Sequence, residues 1–122
     1  MDVLTYLHTA LLVTDLDQAH RFYGETLGLP LADRPLNFSG RWYQIGPTQL
    51  HLIQAPHVID DRVVADKAGR NRHVAFAVAD ITQAQAKLEA QGYPVHRSSS
   101  GRPALFTQDP DGNIIELNQV TP

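Results

Sequence analysis

Four residues of the kinds that hold metals or move protons stand at matched positions in this chain: His8, His51, His73 and Glu116. One offset of 65 residues carries His8 onto His73 and His51 onto Glu116. It also aligns Ala10 with Ala75, Val13 with Val78, Asp15 with Asp80, Gln18 with Gln83 and Ala19 with Ala84. The chain is therefore a tandem repeat, and its four metal-capable residues form two equivalent pairs. With no cysteine available, any metal must sit on nitrogen and oxygen. Three imidazoles and a carboxylate suit Zn, Ni, Mn or Fe better than Ca or Mg, and open coordination positions would make the site catalytic. Glu116 lies between Ile115 and Leu117. Burying its charge there costs several kcal/mol unless a cation compensates it.

The elements that must position these residues follow from local pattern. Leu7 to Val13 alternates as a strand, which puts His8 on a face with small Ala10. Thr14-Asp15 followed by Gln18 resembles a capping box. Leu16, Ala19, Phe22, Tyr23 and Leu27 then recur at helical spacing up to Gly28, predicting a helix over about 16–27. Short strands are expected at 29–34, 41–45 and 49–53, separated by Asn37-Phe38-Ser39-Gly40 and Gly46-Pro47-Thr48. The second copy repeats the plan, with a strand at about 73–78 and a helix over 81–91 capped by Asp80. Strands follow near 94–97, 103–107 and 113–119, the last one entered through Asp109-Pro110-Asp111-Gly112.

The expected fold is α+β: two tandem βαβββ modules in one domain spanning 1–122, about 1–55 and 72–122, joined by a linker at about 56–71. Each helix covers one face of its sheet. The bare faces then pair about a pseudo-twofold axis and gather the four residues into a cavity, with Ala10, Ala75 and Ala77 leaving room for a ligand. The polar segment 54–72 reads as a solvated crossing in which Lys67, Arg70 and Arg72 could close over an anion. His20, His57 and His96 have no ligand-type repeat partner and are read as surface residues. Arg41, Trp42, Tyr43, Arg97 and Arg102 are candidates for the pocket mouth, although packing or solvation explains them as well.

Composition narrows the function. A content of 43% hydrophobic and 19% charged residues is that of an ordinary globular domain, and a net charge of −3 leaves no footprint for nucleic acid or an anionic membrane. No stretch approaches the roughly 20 apolar residues of a membrane helix, and the N-terminus lacks a signal pattern, so a cytoplasmic location is expected.

The residues also carry a resemblance. The segments His8-x-Ala-x-x-Val13-x-Asp15-Leu16, Phe22-Tyr23-Gly24-Glu25-x-Leu27-Gly28-Leu29, His73-x-Ala-x-x-Val78-x-Asp80 and Asp109-Pro110-Asp111-Gly112-Asn113-x-x-Glu116-Leu117 make nearly the whole chain resemble the vicinal oxygen chelate superfamily. That superfamily includes glyoxalase I, extradiol dioxygenases, fosfomycin-resistance thiol transferases and bleomycin-resistance proteins. The resemblance implies a cupped, mostly antiparallel sheet with helices outside around one divalent metal per site, often in a homodimer whose sites combine modules from both chains. It puts ligands at His8, His73 and Glu116, and at the position held by His51, where bacterial glyoxalase I usually has a glutamate. Leu12 and Ala55 stand where glyoxalase I commonly has an arginine and an asparagine for glutathione, which weighs against glutathione as the thiol.

The leading expectation is a glyoxalase I-like lyase or isomerase acting on a small molecule such as a thiol hemithioacetal. The metal acts as Lewis acid on two vicinal oxygens, and Glu116 carries the proton between adjacent carbons. The runner-up is a ferrous extradiol-type dioxygenase or thiol transferase, on the triad His8, His73 and Glu116. A third reading is a non-catalytic binding protein that sequesters a small molecule such as an antibiotic.

Overall fold

A computed structural model describes residues 1–121 as two compact units, Met1–Val58 and a second beginning at Ile59. In the first unit β1 (His8–Val13), β2 (Gly40–Ile45) and β3 (Thr48–Gln54) form a mixed sheet in the order β1-β3-β2. β1 runs parallel to β3 and β2 antiparallel to it, with Ala10 and Trp42 both level with His51. A parallel pair needs a crossover, and helix α1 (Leu16–His20) supplies its start. Asp15 caps it in extended conformation, its carboxylate accepting the Gln18 amide at 2.9 Å.

The expected helix over 16–27 is present but changes pitch. From Arg21 to Thr26 it is π-helical, with the Leu27 amide donating to the Phe22 carbonyl at 2.9 Å. The wider turn keeps Phe22, Tyr23 and Thr26 all buried, and the Thr26 hydroxyl donates to the Arg21 carbonyl at 3.0 Å. The expected strand at 29–34 shrinks to a single bridge between Leu31 and Tyr43. The physical reason is the pair of prolines that bracket it. Pro30 has no amide to donate, and Pro35 ends the run after the Ala32 amide has reached the Trp42 carbonyl.

In the second unit β4 (Val74–Val78), β5 (His96–Arg97), β6 (Ala104–Gln108) and β7 (Ile114–Gln119) form a sheet ordered β4-β7-β6-β5, with β4 parallel to β7 and the other pairs antiparallel. Helix α2 (Ile81–Ala90) crosses between β4 and β5. Asp80 caps it through the Gln83 amide at 3.0 Å, and the Gln119 side chain accepts the Ile81 amide at 2.9 Å. Its end is a Schellman turn: Gly92, at φ 83°, lets the Tyr93 amide reach back to the Leu88 carbonyl at 3.0 Å.

The architecture is thus α+β and glyoxalase-like: the described residues form two mixed sheets of three and four strands with two α-helices, and no closed barrel among them. Alternation along the strands sorts each sheet into a core face and an open face. The first core holds Val13, Ala19, Phe22, Tyr23, Tyr43, Leu50 and Leu52; the second holds Ile81, Leu88, Leu105, Ile115 and Leu117. The odd residues of β3 and the even residues of β1, β2, β6 and β7 are left for the open faces.

Candidate functional site

Each unit brings one of the two expected pairs together on its open face. In the second unit His73 stands at the entry to β4 and Glu116 in the middle of β7, with Phe106 of β6 level with Glu116. The His73 Nε2 lies 3.2 Å from Glu116 Oε1, their side chains 25% and 10% exposed. The other ring nitrogen, Nδ1, is 2.7 Å from the Asn71 carbonyl oxygen. A carbonyl can only accept, so Nδ1 carries the proton and Nε2 faces the carboxylate with either a second proton or a lone pair. A lone pair against a carboxylate is repulsive unless a proton or a cation lies between. Two ligands about 2.1 Å from one ion stand roughly 3.0–3.4 Å apart, so the observed separation fits a shared metal. The Asn71 carbonyl beyond His73 is the kind of outer partner that fixes a ligating imidazole. Asn118 steadies the carboxylate by donating to Glu116 Oε2 at 2.6 Å. Arg102 Nη1 lies 3.9 Å from that oxygen and donates to Asn118 Oδ1 at 3.3 Å. The edge of Phe106 meets the His73 ring at a centroid distance of 5.8 Å.

The first unit arranges its pair differently. His51 is sandwiched, with Trp42 at 4.0 Å between centroids on one side and His8 at 3.9 Å on the other, both nearly parallel. A chain of amides fixes its tautomer. The Gln44 amide nitrogen donates to the Gly46 and Thr48 carbonyls, so Gln44 Oε1 accepts from Gln49 at 2.8 Å, Gln49 Oε1 faces His51 Nε2 at 2.8 Å, and that nitrogen must donate. Burial first, then the neighbouring His8 and the Arg34 guanidinium, hold the His51 pKa below the ordinary 6.5, so the ring is neutral near pH 7. Stacked imidazoles direct their lone pairs along parallel planes. A metal about 2.1 Å from one ring in its own plane stands more than about 3 Å from the other, so the pair as stacked offers one ligand. His8, at the exposed end of the stack, is the ring that a side-chain rotation would release.

Around this stack lies an open concavity of about 620 Å³, walled by Leu36, Phe38, Trp42 and Ile53 with the Gln44 and Gln49 amides among them. The Arg34 guanidinium sits over the Phe38 ring at 4.6 Å, and its buried Nε and Nη2 find no hydrogen-bond partner among the described residues. Within neither unit do three or more His, Asp or Glu side chains among the described residues gather into a group able to hold an ion. What each unit supplies is a pair.

Of the residues read as pocket-mouth candidates, Trp42 and Arg102 do stand beside the pairs. Tyr43 points into the core, Arg41 pairs with Asp17 at 2.7 Å, and Arg97 donates to Gln85 at 3.0 Å. His57 and His96 are exposed as expected, but His20 is half-buried, because its Nδ1 meets the hydroxyl of the fully buried Tyr43 at 2.7 Å. Burial pushes the Tyr43 pKa up to about 12, so the phenol stays protonated beside the imidazole. In the crossing segment Lys67 and Arg70 are exposed and Arg72 pairs with Asp61 at 2.8 Å. The sequence reading missed Gln44, Gln49, Asn71 and Asn118. Period-two alternation gave a signal for two of them, since Gln49 shares the face of His51 and Asn118 that of Glu116. Asn71 lies outside any strand and left none.

This fold with these pairs defines a class, and the chain belongs to the Glyoxalase/Bleomycin resistance protein/Dioxygenase superfamily, whose family model matches residues 5–117. Its members commonly use a divalent metal, bind small molecules and often act as dimers. Among individual proteins, the chain is 27% identical over 124 residues to the uncharacterized protein YwbC of Bacillus subtilis (strain 168), covering 92% of this chain and 94% of that protein. It is 25% identical to the crystal structure of a lactoylglutathione lyase from Agrobacterium tumefaciens, with a TM-score of 0.67 over 94% of this chain and 92% of the other. TnmS3, an antibiotic binding protein from Streptomyces sp. CB03234, shares the fold at 24% identity, with a TM-score of 0.69 over 99% of both chains.

Proposed function

We propose that the chain is a divalent-metal-dependent lyase or isomerase of the glyoxalase I type. Its substrate is a small molecule with vicinal oxygens such as a thiol hemithioacetal, its metal ligands are His8, His51, His73 and Glu116, and it works as a cytoplasmic homodimer. The observation that carries this reading is the separation of 3.2 Å between His73 Nε2 and Glu116 Oε1, with the far side of the imidazole already committed to a carbonyl. Similarity to a lactoylglutathione lyase supports the reaction class. Because His8 and His51 stack, occupancy of all four positions requires His8 to leave the stack, and the chain keeps a three-ligand alternative in His8, His73 and Glu116.

A bound divalent ion supplies Lewis acidity at the two vicinal oxygens. The chain supplies the rest. Glu116 takes a proton from the hydroxyl-bearing carbon and returns it to the adjacent carbonyl carbon, while the hydroxyl proton passes to the former carbonyl oxygen, so the first carbon is oxidised, its neighbour is reduced, and no external redox partner is consumed. Asn118 holds Oε2, with Arg102 beyond it, so the oxygen that takes the proton is Oε1, which faces His73 and is free to do so once Glu116 loosens from the metal. Phe106 covers one side of the pair.

The test is thioester formation from methylglyoxal and a panel of small thiols by protein loaded in turn with Zn, Ni, Mn and Fe. Turnover with at least one metal is expected; none with any metal or thiol refutes the lyase. A second reading, sequestration of a flat small molecule, is favoured by the ring stack and the largely apolar concavity beside it. Trp42 is the chain's single tryptophan and reports on that surface directly. Saturable quenching of its fluorescence by planar antibiotics, without turnover, would select this reading.

A further inference from the structure

The segment before His73 is not a plain solvated crossing. One side chain ties it into a closed loop. Asn71 Oδ1 accepts the backbone amides of Val63 at 2.7 Å and Val64 at 2.9 Å, and its Nδ2 donates to the carbonyls of Val64, Lys67 and Ala68 at 2.8, 3.0 and 3.3 Å. The amide group thus satisfies two backbone amides and three carbonyls of a stretch that pairs with no strand among the described residues. The main-chain oxygen of the same residue takes the proton of His73 Nδ1. The loop is also seated on the site. The short 3-10 turn Ala68–Arg70 lies against the Phe106 ring so closely that a Cβ on Gly69 would stand 2.7 Å from Phe106 Cζ, and the edge of that ring meets His73.

We infer that Asn71 is a positioning residue: by knitting residues 63–71 into a closed loop it sets its own carbonyl where it holds His73 as the Nδ1–H tautomer, with Nε2 aimed at Glu116. That tautomer is the less common one in a free histidine side chain, so it requires an acceptor at a fixed place. A carbonyl on a loose connection would wander and release the ring. Gly69 contributes by letting the turn settle on Phe106, which limits the ring's rotation from its other side. The consequence for metal affinity rests on reading His73 as a ligand; the consequence for the tautomer does not.

The experiment uses full-length protein labelled with ¹⁵N at histidine. Metal-free wild type at alkaline pH is expected to show a protonated Nδ1 and a pyridine-type Nε2 in long-range ¹H–¹⁵N spectra, the hydrogen bond to the Asn71 carbonyl outweighing the repulsion between the Nε2 lone pair and the Glu116 carboxylate. Asn71→Ala removes all five bonds. Asn71→Asp keeps the two accepted bonds but turns an acceptor toward three carbonyls. Both are expected to move His73 toward the Nε2–H form while far-ultraviolet circular dichroism stays native, and to weaken zinc binding by about 10- to 100-fold. Gly69→Ala, a milder change that leaves every Asn71 bond available, is expected to shift the His73 ring signals through Phe106. An Nε2–H tautomer in wild type overturns the inference, as does an Nδ1–H tautomer that survives in a folded Asn71 variant. If Asn71→Ala does not fold, the wild-type spectrum and Asn71→Asp still decide. A tautomer that responds to Asn71 in a protein that binds no zinc would refute the metal reading and leave the positioning role standing.

Discussion

At the scale of single residues, Glu116 and His51 occupy equivalent positions in the repeat but face opposite circumstances. Glu116 is a buried carboxylate with one oxygen held by Asn118 and the other against an imidazole. Replacing it by Gln keeps the shape and removes the base. Glu116→Gln is expected to lower turnover by about 10²- to 10⁴-fold in the thioester assay. His51 is a buried imidazole whose pKa is depressed by its surroundings. As pH falls below the ordinary value of 6.5, the unfolded chain binds a proton at this residue before the native state does. Stability is therefore lost as pH drops from there toward the lower native value, and the loss is complete below it. Urea midpoints measured from neutral to acid pH are expected to fall over that window. In His51→Gln the fall is expected to be shallower, and an unchanged slope would contradict the assignment.

At the scale of elements, the π-helical half of the first helix contains a position that a glycine fills without displacing its neighbour. A Cβ on Gly24 would overlap the His20 imidazole, which lies across that backbone to reach Tyr43. Gly24→Ala must therefore push the ring away and break the bond to a buried phenol, at a cost of about 1–3 kcal/mol by overpacking and loss of the partner. His20→Ala removes the obstacle along with the bond. The double variant is expected to be more stable than the two single costs would give when summed, a coupling readable in urea denaturation as a double-mutant cycle. The repeat made both helices legible, because Asp15 and Asp80 cap them identically. It said nothing of the change in pitch, since helical periodicity tolerates a single widened turn. The lost strand at 29–34 had the apolar content of a strand, and the two prolines that cancel its ladder outweighed that content.

At the scale of the whole molecule, the metal reading makes stability depend on an ion. A ligand present at about a hundred times its Kd stabilises the native state by roughly 2.7 kcal/mol if it does not bind the unfolded chain. Chelation of metal-loaded protein is accordingly expected to lower the melting temperature by several degrees, and readdition to restore it. His73→Ala is expected to abolish the difference between the two states. Among the described residues no helix is long and apolar enough to cross a membrane.

The sequence by itself determined the duplication, the capped helices, the faces of the strands and the two pairs His8/His51 and His73/Glu116, because each of these is written in local period or in one repeat offset. Only the tertiary structure decided how the members of each pair meet. Register across β2 and β3 placed Trp42 level with His51 and turned the first pair into a stack, while a loop tied by Asn71 turned the second into a nitrogen and an oxygen facing one point. Ring orientation and tautomer depend on hydrogen bonds from residues distant in the chain or outside any strand, and no periodicity records those.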